Sequence, residues 1–115
     1  MPTCFLETSA ASSPEKDAAF CALVSPAIAS LVGKPEMYVM TKASSGVTMT
    51  FGGSTDPCAC VRICCIGMDA SIHGRIAEQV SSMVQENYGV PPERTFIEFV
   101  APLAENYAWN GKTFA

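Results

Sequence analysis

A proline stands directly behind Met1, and a free proline amine is a base that works near neutral pH. A small second residue favours removal of the initiator methionine, so Pro2 is expected to open the mature chain. An α-amino group titrates at about 7.7 to 8.0, and burial or a neighbouring cation pushes it towards the neutral, proton-accepting form. Pro2 is therefore a candidate general base that needs no histidine; by position alone it is equally a frayed end. Lys34, in Gly33-Lys34-Pro35, is the second candidate. By position alone it is a cation that stabilises the end of a helix. The third is a set of thiols, Cys4, Cys21, Cys58, Cys60, Cys64 and Cys65, with the lone His73. Their spacing lacks the paired Cys-x-x-Cys or Cys/His pattern of zinc, so no metal site is expected.

Two similar halves, approximately residues 1–57 and 58–115, must position these groups within one domain of 115 residues. In the first, an apolar segment from Thr3 to Thr8 precedes a helix started by Ser13-Pro14 and stopped by Gly33. Its inward positions are Phe20, Leu23, Val24, Ala27, Ile28 and Leu31 by helical spacing, with Pro26 expected to bend it. A strand from Tyr38 to Thr41 follows. The second half repeats the order: strand Ala59 to Ile66, helix from about Ala70 to Tyr88, strand Thr95 to Val100. Tandem β-α-β units with right-handed crossovers put both helices on one face of a four-stranded mixed sheet, an α+β two-layer sandwich. The other face stays uncovered, and a second copy of the chain is the economical cover.

Composition narrows the partners. The net charge of -4 and seven scattered Lys and Arg argue against nucleic acid. No apolar run approaches a membrane span, and residues 2–6 have neither the basic region nor the long apolar run of a signal peptide. Cytoplasmic synthesis with reduced thiols is the expectation, and a disulfide framework is not.

Pro2, Gly33-Lys34-Pro35 with Tyr38, Phe51-Gly52-Gly53-Ser54, Asp56-Pro57-Cys58-Ala59, Ile66-Gly67, Arg94 with Ile97, Trp109-Asn110-Gly111 and Thr113-Phe114-Ala115 form an ordered set. In order, spacing and total length the set is similar to the macrophage migration inhibitory factor family, which includes D-dopachrome tautomerase. The resemblance implies a homotrimer with its sites between subunits and no cofactor. It further implies tautomerisation of phenylpyruvate-like (aryl pyruvate) and dopachrome-like substrates, and in animals cytokine activity through a cell-surface receptor after leaderless secretion. Pro2 matches the catalytic base, Lys34 the substrate-carboxylate ligand and Ile66 a backbone-amide contact. Tyr38, Tyr107, Trp109 and Phe114 match pocket or rim positions.

Keto–enol tautomerisation suits these residue types. It needs a base beside a carbon next to a carbonyl, a donor or cation for the enolate, and a dry apolar pocket. Two departures are visible: Phe96 stands where the best-known mammalian members have tyrosine, and Glu98 where they have asparagine. Two residues apart on a strand, Phe96 and Glu98 share a face, so both are expected near the pocket, with Glu98 opposing an acidic substrate. The mammalian Cys-x-x-Cys is replaced by Cys58-Ala59-Cys60, and thiol-redox activity is not carried over. A signalling protein that keeps the fold and uses its surface is the alternative reading, and a thiol or metal module a weaker one.

Overall fold

The computed structural model describes residues 1–115. Strand β1 (Thr3–Thr8) leads into helix α1 (Pro14–Val32), then β2 (Met40–Ser44) and β3 (Ala59–Cys64). Helix α2 (His73–Tyr88), β4 (Thr95–Val100) and a small hairpin, β5 (Ala108–Trp109) with β6 (Lys112–Thr113), complete the chain. The main sheet has the order β2-β1-β3-β4, in which β1–β2 and β3–β4 are parallel and the central β1–β3 pair is antiparallel. Each parallel pair is one β-α-β unit, so the two halves of the sequence are the two halves of the sheet.

Local chemistry fixes the ends of α1. The Ser13 hydroxyl accepts from the Lys16 amide at 3.2 Å, Pro14 occupies the first turn where its missing N–H costs nothing, and Gly33 closes the helix at φ 69°. The helix runs from Pro14 to Val32 through Pro26. Phe20, Val24 and Ile28 of α1 and Ile76, Val80 and Val84 of α2, each spaced by four, pack on Cys4 and Leu6 of β1 and on Ala59, Val61 and Ile63 of β3. Leu23, expected inward, is 53% exposed. Consecutive helical residues step by about 100°, which puts Leu23 on the flank of a stripe centred on Val24.

Boundaries moved where proline and turn chemistry intervene. The segment expected as a strand from Tyr38 begins instead with a 3₁₀ turn at Glu36–Tyr38, and pairing starts at Met40. Residues 70–72 likewise form a 3₁₀ turn before α2, with the Asp69 carboxylate accepting from the Ser71 amide at 3.0 Å. The Ser71 hydroxyl, and after it the Ser71 amide, holds the Asp69 carboxyl below its ordinary range. β3 ends at Cys64 rather than Ile66.

Both helices cover the same face of the sheet. The opposite face carries Phe5, Lys42, Cys60, Arg62, Phe96 and Glu98 around a cavity of about 530 Å³. No helix is long and apolar enough to cross a membrane.

Candidate active site

Pro2 precedes β1, and its carbonyl accepts from the Met40 amide at 3.0 Å, so the parallel β1–β2 pairing pins the residue in place. Its ring is fully buried. Lys34 is set by the helix stop: with Gly33 in the left-handed region, both the Gly33 and Lys34 amides turn back to the Ala29 carbonyl, the latter at 3.0 Å. Pro35 then fixes the exit, and its carbonyl accepts from the Tyr38 amide at 3.1 Å. The opposite wall comes from Ile66, just past the end of β3, whose N–H takes no part in the backbone hydrogen bonds of the chain.

These residues converge. Pro2, Lys34, Tyr38, Ile66 and Phe114 line one cavity of about 310 Å³, together with Met1, Pro35 and Ala104. The C-terminal residues reach it because Asn110 and Gly111, at φ 53° and 76°, make the tight turn of the β5–β6 hairpin. The returning chain is then tied down by the Phe114 amide, which donates to Ala104 at 3.2 Å and to Tyr107 at 3.0 Å. The cavity thus holds one charged side chain, Lys34, one free amide donor at Ile66 and a mostly apolar remainder around a buried proline.

Tyr107 and Trp109 border an adjoining cavity of about 250 Å³ rather than that of Pro2. Trp109 meets Tyr38 edge-on at 5.8 Å between ring centroids, so Trp109 is both a hairpin residue and a wall. Burial pushes the Tyr107 phenol above its ordinary pKa, with the Cys64 thiol adding to the effect.

Phe96 and Glu98 do share a face, as their spacing requires, but it is the uncovered face of the sheet and not the Pro2 cavity of the same chain. Phe96 is 67% exposed and packs on Phe51 at 4.8 Å, while Glu98 is paired with Arg62. A strand-period argument fixes which side chains travel together; it does not say which face meets the site.

Sequence reasoning missed Pro35 and Ala104 as lining residues, and Met1 as a wall. Pro35 was legible, being inside Gly-Lys-Pro; nothing in the sequence marks Ala104. Cys64 was considered only as a thiol. The register puts it directly opposite Thr3, and burial, with the Cys65 thiol adding to it, raises its pKa against the opposing pull of the terminal ammonium.

The model of the family described as macrophage migration inhibitory factor matches residues 1–115. This chain belongs to the macrophage migration inhibitory factor family. A homolog of that factor from Brugia malayi is 39% identical over 99 residues, 84% of each chain. Among solved structures, the homologue from Prochlorococcus marinus superposes with a TM-score of 0.93 at 34% identity, covering 98% of this chain and 99% of that one. The Toxoplasma gondii factor gives 0.91 at 33%, covering 97% and 99%. The fold is therefore that of the macrophage migration inhibitory factor family, the tautomerase fold, with the Pro2 cavity at the start of its first strand.

Proposed function

We propose that this protein is a cofactor-free keto–enol tautomerase of aryl 2-oxo acids and dopachrome-like substrates. The observation that carries the reading is the convergence of Pro2, Lys34 and the unused Ile66 N–H on one largely apolar cavity. Once Met1 is removed, the Pro2 nitrogen is a free secondary amine, and an α-amino group ordinarily titrates at about 7.7 to 8.0.

The Lys34 ammonium pairs with the substrate carboxylate and leaves the carbon beside the carbonyl facing Pro2. The neutral nitrogen takes a proton from that carbon; the C–H electron pair becomes the C=C bond, and the carbonyl π pair moves to oxygen. Lys34 and the Ile66 N–H stabilise the resulting enolate, and the pyrrolidinium returns its proton to the oxygen, giving the enol and restoring the base. The reverse path delivers the proton to carbon. No redox change occurs, so no cofactor is required.

The assembly belongs to the same proposal. Phe96 and Met40, 67% and 62% exposed, lie at the two edges of the sheet, and a homotrimer would cover its open face and bring Phe96 and Glu98 of a neighbouring copy to the Pro2 cavity. Cytokine-like signalling is a second reading, supported by the similarity to relatives named macrophage migration inhibitory factor. The test of the enzymatic reading is phenylpyruvate turnover by mature protein and by Lys34→Ala. A rise in KM of about tenfold or more for the variant is expected, and an unchanged KM with intact turnover removes Lys34 from the site.

A further inference from the structure

The open face of the sheet carries its charges in a set order. The register places Lys42 of β2, Phe5 of β1, Arg62 of β3 and Glu98 of β4 in one row across the strands, and all of them line the cavity on that face. Because β2 and β4 are the two edges, the row begins on a cation and ends on a carboxylate.

Both ends have bonding capacity to spare. The only ion pair in the chain is that of Arg62 with Glu98, so Lys42 meets no carboxylate; its ammonium rests 4.7 Å from the centroid of the Phe5 ring. Arg62 engages Oε1 of Glu98, and Oε2 accepts no hydrogen bond within the chain. Lys42 cannot serve Glu98 of its own chain. Three strand spacings separate them, about 14 Å, which exceeds the screening length of about 8 Å at physiological salt.

A neighbouring copy brings the two ends together. Rotation about an axis running along the strands leaves every residue at its own height, so residues of one row meet where the β2 edge of one copy adjoins the β4 edge of the next. There the free donors of Lys42 face the free oxygen of Glu98. An edge-to-edge two-fold contact instead sets Lys42 against Lys42 or Glu98 against Glu98, and like charges oppose it.

We propose that Lys42 and Glu98 select the neighbour in the assembly, the partner being a second copy of this chain joined head-to-tail, with Lys42 of one copy paired to Glu98 of the next. This inference rests on the homotrimer put forward above, and it names the charges that fix which edges meet.

Sedimentation equilibrium at about 0.15 M NaCl reads the concentration at which the assembly half-dissociates. Lys42→Glu is expected to raise that concentration by at least about a hundredfold, because it opposes two carboxylates across the contact. Lys42→Glu/Arg62→Glu/Glu98→Lys, which reverses every sign in the row, is expected to return it to within about fivefold of the wild type. The neutral variants Lys42→Met and Glu98→Gln are each expected to raise it about fivefold, and their combination no further than either alone, since both remove the same contact. These side chains are exposed, so the circular dichroism of each variant is expected to match the wild type. A Lys42→Glu protein that assembles like the wild type, a sign-reversed row that does not reassemble, or additive effects of the neutral variants overturns the inference and leaves the homotrimer standing. A wild-type protein that stays a single copy at micromolar concentration removes the homotrimer and the inference together.

Discussion

Arg62 Nε donates to Glu98 Oε1 at 2.7 Å, across a register that sets the two residues opposite each other on the parallel strands β3 and β4. Glu98 is therefore half of an ion pair and not the lone negative charge its sequence position suggests.

That pairing changes the expected selectivity. Both side chains are at least 60% exposed, so solvent screening leaves the pair little effect on stability. Its effect is electrostatic. Arg62→Gln leaves Glu98 uncompensated and is expected to raise KM for a free aryl 2-oxo acid several-fold, on the order of twofold to fivefold, with little change for the corresponding ester. The double variant Arg62→Gln/Glu98→Gln is expected to restore the KM. Steady-state kinetics on acid and ester check this; equal effects on the two substrates would place the pair outside the site.

Tyr88 and Asp17 staple the two halves together. The Tyr88 hydroxyl donates to Asp17 Oδ1 at 2.7 Å, and the Ser45 hydroxyl donates to Oδ2 of the same carboxylate at 2.8 Å. Tyr88→Phe removes a hydrogen bond to a charged acceptor and is expected to cost about 1.5–3 kcal/mol of unfolding free energy, read from the urea midpoint. The Pro2 cavity lies at the other end of α1, so turnover at 25 °C is expected to hold.

Alkaline pH is expected to weaken the fold. Burial pushes the Cys4 thiol from 9.0 up to about 12, with Cys21 adding to the shift, and burial together with Asp17 raises the Tyr88 phenol. For both groups the native state keeps protons that the unfolded state gives up. Their stabilisation is complete below about pH 9 and is lost as pH rises towards 12. Urea midpoints at pH 8 and pH 10 measure it, and Cys4→Ala is expected to reduce the difference between them.

Arg94 organises the loop between β2 and β3. Its guanidinium donates to the carbonyls of Phe51, Ser54, Asp56 and Pro57 at 2.9–3.4 Å and lies 5.1 Å from the centroid of the Phe51 ring. A lysine ammonium cannot span four carbonyls with the same fork, so Arg94→Lys is expected to destabilise by about 2 kcal/mol. Loop amides around Gly52 and Gly53 are expected to exchange faster in the variant, as read by hydrogen exchange.

Helix α1 was legible because its signals are local: Ser13 and Pro14 act on the first turn, Gly33 on the last, and every fourth residue from Phe20 faces the sheet. The tandem β-α-β order was legible for the same reason, since each half carries its own apolar strand and helix. What the sequence hid depends on pairing across the chain. The start of β2 is set by the 3₁₀ turn after Pro35, and the partition of Tyr107 and Trp109 from Phe114 is set by the path of the hairpin. The placement of Glu98 beside Arg62 follows from a register between strands 36 residues apart. The Pro2–Lys34–Ile66 grouping was reached through the family resemblance; spacing alone leaves Lys34 indistinguishable from a helix-capping cation.

The central claim is that the free amine of Pro2 is the base, and phenylpyruvate turnover by matched samples with and without Met1 tests it most directly. Retained Met1 acylates the Pro2 nitrogen and removes its basicity, and the loss of a general base lowers rates by about 10²–10⁴-fold. The mature protein is expected to exceed the Met1-retaining form by at least about a hundredfold in kcat, with identical circular dichroism and oligomeric state, and Pro2→Gly is expected to lower kcat of the mature form comparably. Full turnover by protein shown by mass spectrometry to retain Met1 would contradict the account.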